Sequence, residues 1–132
     1  MMKQGKINTA FGIVCDFYRI KGLPYALSRD LFLLKKKIEP YFEHYSEQEF
    51  NLLSERNALN PDGTIRRDVP QEEVTAINKE LNDMRSTEVE WKEEPLTIKL
   101  TSWLTEKLGI TGEIIEQLDG IICFEEKEDD EE

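Results

Sequence analysis

Among the residues that could carry acid–base chemistry, histidine comes first. The chain of 132 residues has one histidine, His44. An imidazole ordinarily titrates near neutral pH, which suits it to general acid and base catalysis. His44 stands between Glu43 and Tyr45 in a segment with helical periodicity, and no motif places an activated nucleophile with it. We interpret it as a surface residue at the edge of a helix.

Carboxylates are plentiful, since 28 residues are aspartate or glutamate. The pairs closest in sequence are Glu72–Glu73, Glu88 with Glu90, and Glu93–Glu94. Each lies in a polar stretch, where carboxylates usually stay solvated. The Asp62-Gly63 loop lacks the alternating oxygen ligands of a calcium site, and no phosphate-binding or zinc motif occurs. The sequence therefore predicts no catalytic, cofactor-binding or metal-binding residues, and a protein that is not an enzyme.

Cys15 and Cys123 lie near opposite ends of the chain in apolar surroundings. Because they lack CxxC spacing and histidine neighbours, they do not predict a metal site. We interpret them as reduced, packed thiols. A disulfide or a reactive cysteine stays open as the alternative.

The charge balance excludes one class of partner. The formal net charge is −11, of which −6 lies in residues 125–132 and −5 in residues 1–124. Nucleic-acid binding depends on Lys and Arg that neutralise phosphates, so we expect no direct nucleic-acid partner. The run of like charges in 125–132 predicts a disordered acidic tail after a single domain spanning 1–124.

The sequence predicts neither a signal peptide nor a membrane span. The apolar segment 7–20 is interrupted by Asn8, Asp16 and Arg19, and no small-residue cleavage site follows it. No apolar run is long enough to cross a bilayer. We expect a cytoplasmic protein without a membrane partner, and association with a virion is the alternative location.

Two helices are predicted in the first half of the chain. Asn8 or Thr9 can cap the first, which ends before Gly22 and Pro24. The second has a heptad pattern typical of a helix packed along a partner helix. Its repeating residues are Leu27, Leu31, Leu34, Ile38, Tyr41, Tyr45, Gln48 and Leu52. Pro40 lies inside this segment and removes a backbone hydrogen bond, which predicts a kink or two helices meeting near Glu39.

A turn at Asn60-Pro61-Asp62-Gly63 separates this segment from a helix that begins after Pro70. We therefore predict an antiparallel helical hairpin over about residues 25–85, with its tip at about 58–69. Its predicted core residues are Leu31, Leu34, Ile38, Ile77 and Leu81. Arg66 and Arg67 lie at the tip of an otherwise acidic chain and are candidates for a partner contact.

After residue 86 the periodicity changes. Val89 alternates with charged residues and predicts a short strand, as does the run at 96–100. Thr101 or Ser102 can cap a helix, Thr111 can cap another, and 121–124 is a short strand or a final turn. The sequence predicts an α+β fold that is mainly helical, with the hairpin, a small strand element and short C-terminal helices.

The layout resembles a family of small proteins of unassigned function encoded by tailed phages and prophages of Gram-positive bacteria. The resemblance covers about residues 20–125. It consists of Leu23-Pro24 before the lysine-rich helix at Leu27 to Ile38, Glu55-Arg56 before Asp62-Gly63, Glu80-Leu81 leading to Thr87-Glu88-Val89-Glu90, and Gly109-Ile110-Thr111-Gly112 before Leu118. It implies a phage origin and no activity, and no functional residues transfer from it.

Two functions follow as hypotheses. The first is a non-enzymatic phage accessory or assembly protein that acts through contacts with a phage or host protein. The second is a host-directed inhibitor, of the anti-defence or nucleic-acid-mimic type, that binds a host protein. Neither requires a cofactor. An acidic chain favours a basic partner in both cases, because opposite charge raises the association rate.

Overall fold

The structure is a computed structural model that describes residues 1–126. The helices are α1 (Gln4–Tyr18), α2 (Tyr25–Glu55), α3 (Gln71–Ser86), α4 (Ser102–Leu108) and α5 (Gly112–Gln117). The strands are β1 (Met2–Lys3), β2 (Glu88–Val89), β3 (Leu96–Leu100) and β4 (Ile122–Glu126). Helices make up 60% of the described residues, which confirms the predicted mainly helical α+β class. No helix in this part of the chain is long and apolar enough to cross a bilayer.

The α2 helix is the longest element, and it runs through Pro40 without a break. Its heptad-spaced apolar residues form one buried stripe, which includes Leu31, Leu34 and Ile38. Pro40 is exposed. The hydrogen bond that it removes is therefore lost near solvent, where water can satisfy the freed carbonyl. The predicted alternative of two separate helices meeting near residue 39 is wrong.

The α1 helix packs antiparallel on the first part of α2. The rings of Phe11 and Phe42 stack with centroids 4.6 Å apart, and Tyr18 lies 5.9 Å from Phe32. Leu34 and its neighbours on the stripe share one core cluster with α1. The hairpin prediction paired Leu31, Leu34 and Ile38 with α3. This part of it is wrong, because the three residues share their cluster with α1. With 16 residues, α3 is too short to cover all 31 residues of α2.

The α3 helix packs antiparallel on the last part of α2. Arg85, at the end of α3, donates from Nε to the Tyr45 hydroxyl at 2.9 Å. Arg56, which directly follows α2, forms ion pairs with Glu73 and Glu80 of α3. Both short helices therefore run opposite to α2, and they lie end to end along it.

The end of α3 meets the start of α1 at a junction. Strands β1 and β2 pair there antiparallel, with Met2 opposite Val89. The backbone N–H of Gln4 donates to the carbonyl of Thr87 at 3.0 Å, and this bond satisfies an N–H group at the first turn of α1. A Cβ atom on Gly5 would lie 3.2 Å from the Cβ and carbonyl oxygen of Arg85, so the close approach favours glycine.

The predicted start of α1 at Asn8 or Thr9 is wrong, because the helix begins at Gln4. Its N-cap, Lys3, makes no side-chain cap bond. The Thr9 hydroxyl instead donates to the Gly5 carbonyl at 3.1 Å within the helix. The β1–β2 pair defines this helix start through contacts 85 residues away in sequence, such as Lys3 opposite Glu88.

The C-terminal segment forms a parallel β3–β4 pair connected through α4 and α5. Its register runs from Leu96 opposite Ile122 to Leu100 opposite Glu126. The predicted caps are confirmed: Thr101 accepts from the N–H of Leu104 at 3.1 Å, and Thr111 accepts from that of Ile114 at 3.2 Å. Strand β4 extends two residues past the predicted domain boundary at 124, and the rest of the predicted acidic tail lies outside the described residues.

Two apolar clusters hold these elements together. The main cluster joins α1, the first part of α2, and the C-terminal segment; its buried residues are Ile7, Ala10, Val14, Phe17, Leu31, Leu34, Ile38, Ile98, Leu104, Leu108, Leu118, Ile121 and Ile122. The second cluster lies between α2 and α3 and has four buried residues, Leu53, Ala58, Ile77 and Leu81. The five predicted core residues are thus all buried, but they belong to two clusters.

Replacing Leu34 or Leu81 by Ala should lower the free energy of unfolding by about 2–5 kcal/mol, because each substitution removes buried methyl groups and leaves a cavity. We expect the larger loss for Leu34, since the main cluster encloses it on several sides. Urea denaturation measures both. Leu33→Ala is the control, since Leu33 is exposed, and it should change stability by less than about 0.5 kcal/mol. If all three variants lost less than about 0.5 kcal/mol of unfolding free energy, Leu34 and Leu81 would be exposed to solvent and not buried.

Candidate functional site

An apolar concavity lies where α1 and α3 meet opposite the middle of α2. It encloses about 490 Å³, which is within the usual range of ligand pockets. We call it the junction cleft. It is lined by Gln4, Pro40, Tyr41, His44, Tyr45, Gln48, Met84, Thr87, Glu88 and Val89.

The buried phenol of Tyr45 forms part of the inner wall of the junction cleft. Its hydroxyl accepts from Nε of Arg85. Burial raises the pKa of Tyr45, and the neighbouring Glu49 carboxylate raises it further, while Arg85 acts in the opposite direction. The phenol therefore stays neutral at physiological pH and is held in place by α3.

The Gln4 side chain closes the α1 side of the junction cleft. It is 6% exposed, and its amide nitrogen donates to Asn8 at 2.9 Å and to the Tyr41 carbonyl at 3.2 Å. These bonds leave few unpaired polar atoms on the inner wall. The surface that stays available is largely apolar, because Tyr41, Met84 and Val89 are half-buried beside it.

The wall at Tyr41 is supported from behind by Trp91. Their ring centroids lie 5.0 Å apart. The indole N–H of Trp91 is buried without a hydrogen-bond partner among the described residues, and such a donor costs free energy. The wall is thus an aromatic pair formed by Tyr41 of α2 and Trp91, which lies two residues after β2.

The mouth of the junction cleft is polar. His44, Gln48, Thr87 and Glu88 are all exposed there, so His44 has the surface position that its sequence context predicts. Residues 1–126 contain no group of three His, Cys, Asp or Glu side chains arranged to hold a metal ion. An apolar wall with a polar mouth is chemically suited to receive an apolar side chain of a partner and to hydrogen-bond the backbone around it.

The two arginines predicted as partner contacts have different environments. Arg66 donates to the Asn57 carbonyl at 2.9 Å and to both carboxylate oxygens of Asp68, at 3.0 and 2.8 Å. It closes the loop between α2 and α3 from within. Arg67 is exposed, and it lines a surface pocket together with Ile65, which is 66% exposed. Of the pair, Arg67 is the more exposed, whereas Arg66 is half-buried.

The loop tip is ordered by its own polar groups. Asp62 accepts from the backbone N–H of Thr64 at 3.0 Å and from its hydroxyl at 2.7 Å, and these bonds lower the pKa of Asp62. Asn57 adopts a positive φ of 55° where α2 gives way to the loop. The hydrogen bonds from Arg66 lower the pKa of Asp68. The tip is thus a defined structure that is separate from the junction cleft, since none of its residues lines the cleft.

Cys15 and Cys123 are not bonded to each other. Cys15 is half-buried on α1, and burial raises the pKa of its thiol, which disfavours the reactive thiolate. Cys123 is exposed on β4, so the prediction of a packed thiol is wrong for this residue. Alternate β4 side chains face opposite ways, and the buried Ile122 faces the core.

Comparison with known proteins does not identify the site. No protein-family model matches the chain, and no curated protein and no solved structure matches it. The resemblance to small phage proteins therefore stays a prediction.

The loop tip should be sensitive to acid. Asp62 and Asp68 both have a lowered pKa, so their contributions are present above the ordinary aspartate pKa of about 3.9 and are lost as the pH falls through their lower folded values. Carboxyl-carbon NMR titration measures both pKa values. Arg66→Gln should raise the pKa of Asp68 and leave that of Asp62 low, whereas Arg67→Gln should change neither. A low Asp68 pKa in Arg66→Gln would contradict the assigned cause.

Proposed function

We propose that this protein is not an enzyme and that it acts by binding another protein, whose apolar side chain enters the junction cleft. The observation that supports this most is the cleft itself, with its apolar wall and exposed polar mouth. Protein interfaces concentrate their binding energy in a few anchor side chains that fill such pockets. The anchor we expect is aromatic or a large aliphatic side chain, because Tyr41, Met84 and Val89 offer it apolar contact.

The acid at the mouth of the junction cleft favours a partner with a basic residue beside its anchor. Glu88 lies there and is exposed. Opposite charge at the rim of an interface mainly raises the association rate. The second contact we propose is the exposed Arg67 with Ile65 at the loop tip, whereas Arg66 is already paired within the loop.

In biological terms, we propose an accessory or assembly protein of a tailed phage or prophage. The sequence layout supports the phage origin, and the lack of a recognised catalytic motif supports a binding role. The location that goes with this proposal is the cytoplasm of the bacterial host, with virion association as the alternative.

The alternative function, a host-directed inhibitor that imitates nucleic acid, is less well supported by the surface of α2. A duplex mimic requires a continuous negative surface, because it replaces a row of phosphates. Residues 39–55 carry five glutamates, but residues 25–38 carry four basic residues and one aspartate. The change of sign along one helix interrupts the row. Inhibition of a host protein through the junction cleft would remain compatible with the binding proposal.

The test is to place charge at the mouth of the junction cleft. His44→Glu together with Gln48→Glu adds two carboxylates at exposed cleft positions, where they would oppose entry of an apolar side chain. Asn78→Glu together with Asn82→Glu is the matched control, with the same spacing, helical context and added charge on the exposed face of α3. Tagged wild-type and variant chains would be used to capture proteins from phage-infected and uninfected host cells, followed by measurement of the affinity for the protein captured.

The cleft variant should bind the captured protein at least about tenfold more weakly than the control variant does, which corresponds to the loss of one modest anchor. Equal affinity of the two variants would remove the junction cleft from the proposal. Turnover of a substrate by the purified wild-type chain, with no protein captured, would overturn the binding function itself.

A further inference from the structure

The side of α2 that faces outward carries a regular pattern of exposed residues, which the packing of the fold does not explain. We call it the outer face, and its exposed residues recur at spacings of three, four and seven, as residues on one side of a helix do. They are Tyr25, Arg29, Phe32, Lys36, Glu43, Glu47, Phe50 and Ser54. The outer face lies opposite the buried stripe, so neither α1 nor α3 covers its centre.

The charges along α2 run against the helix dipole. Residues 25–38 carry four basic side chains and one acidic side chain, whereas residues 39–55 carry five acids and neither Lys nor Arg. A helix is stabilised by acids near its N-terminus and by bases near its C-terminus, and α2 has no acid in its first turn and no base in its last. The helix dipole therefore does not account for the basic first half and the acidic second half of α2.

Two exposed phenylalanines lie on the same side of the outer face. Phe32 is 39% exposed and Phe50 is 55% exposed. They are 18 residues apart, which is five full turns and about 27 Å along the axis. Exposed aromatic side chains are enriched at protein interfaces.

The outer face is complementary to itself under a two-fold rotation. The midpoint between Phe32 and Phe50 is residue 41, and the midpoint between Lys36 and Glu47 lies between residues 41 and 42. A two-fold axis through this point would set Phe32 against Phe50 of a second copy, and Lys36 against Glu47, with each contact occurring twice. We propose that a second copy of this chain packs antiparallel on the outer face and forms a symmetric dimer.

The residues at one end of this interface are already held in place. The ammonium of Lys36 lies 5.7 Å from the Phe32 ring centroid and 3.4 Å from the Glu39 carboxylate. The ring of Tyr18 on α1 also contacts Phe32, with ring centroids 5.9 Å apart. A second copy would therefore meet an ordered aromatic and cationic unit, so little side-chain entropy would be lost on association.

The dimer goes beyond the binding function proposed above, and the two can fail independently. None of Phe32, Lys36, Glu47 and Phe50 lines the junction cleft. Variants on the outer face thus test self-association, whereas variants at the mouth of the cleft test capture of a different protein.

The experiment is a charge exchange followed by sedimentation equilibrium from micromolar to near-millimolar concentration. Lys36→Glu and Glu47→Lys should each weaken the dimer by about tenfold or more, because each converts two attractive pairs into two repulsive ones. The double variant restores opposite charges and should recover most of the affinity. The two single variants, when mixed, should form a heterodimer, because each contact then joins Glu to Lys. Weakening by each single variant together with recovery in the double variant is the outcome that distinguishes the antiparallel arrangement from a parallel one, in which Lys36 would face Lys36 and Glu47 would face Glu47. Lys79→Glu and Glu72→Lys on α3 are matched controls and should dimerise like wild type.

Phe50→Ala provides a second measurement that does not depend on charge, and it should also weaken the dimer. Raising the salt concentration should weaken the wild-type dimer, since the pairs lie near solvent. A wild-type chain that stays monomeric over the whole concentration range would overturn the proposal. A dimer that neither single charge reversal weakens, or that the double variant fails to restore, would exclude the outer face of α2 as its interface.

Discussion

The buried stripe of α2 is the feature on which the rest of the structure depends. The helix has 31 residues, which corresponds to about 46 Å at 1.5 Å per residue. Its apolar side chains must be covered along most of this length. Neither α1, with 15 residues, nor α3, with 16, is long enough to do so alone. Placed end to end, both antiparallel to α2, the two helices together match its length.

This arrangement creates the junction and the cleft together. Helix ends carry backbone groups without partners inside the helix, so a meeting of two ends requires other hydrogen bonds. The bond from Gln4 to the Thr87 carbonyl and the β1–β2 pair supply them. The short strands hold the ends in register, but they do not fill the space opposite the middle of α2. The junction cleft is what remains, lined by an exposed segment of α2 around His44.

Stability is distributed unevenly about this junction. On the α1 side, the main cluster includes residues of β3, β4 and α4 as well as α2. On the α3 side, four buried residues and the ion pairs of Arg56 with Glu73 and Glu80 hold α3 to the end of α2. Exposed ion pairs add little stability. We therefore expect the α3 side, which forms one wall of the junction cleft, to open at a lower free energy than the α1 side.

The sequence by itself determined the helices, two of their caps and the β3 strand. Spacings of three and four between apolar residues report which side of a helix is buried, and Thr101 and Thr111 cap locally, within three residues of their partners. Local spacing does not report what covers that side. Only the tertiary structure decided that α1 covers the first part of α2, that α1 begins at Gln4, and that Arg66 pairs with Asp68 and Asn57 within its own loop. The junction cleft likewise could not be predicted from the sequence. Its walls come from three segments that are about 40 residues apart in the chain. The distance between such segments in space depends on how the whole chain packs.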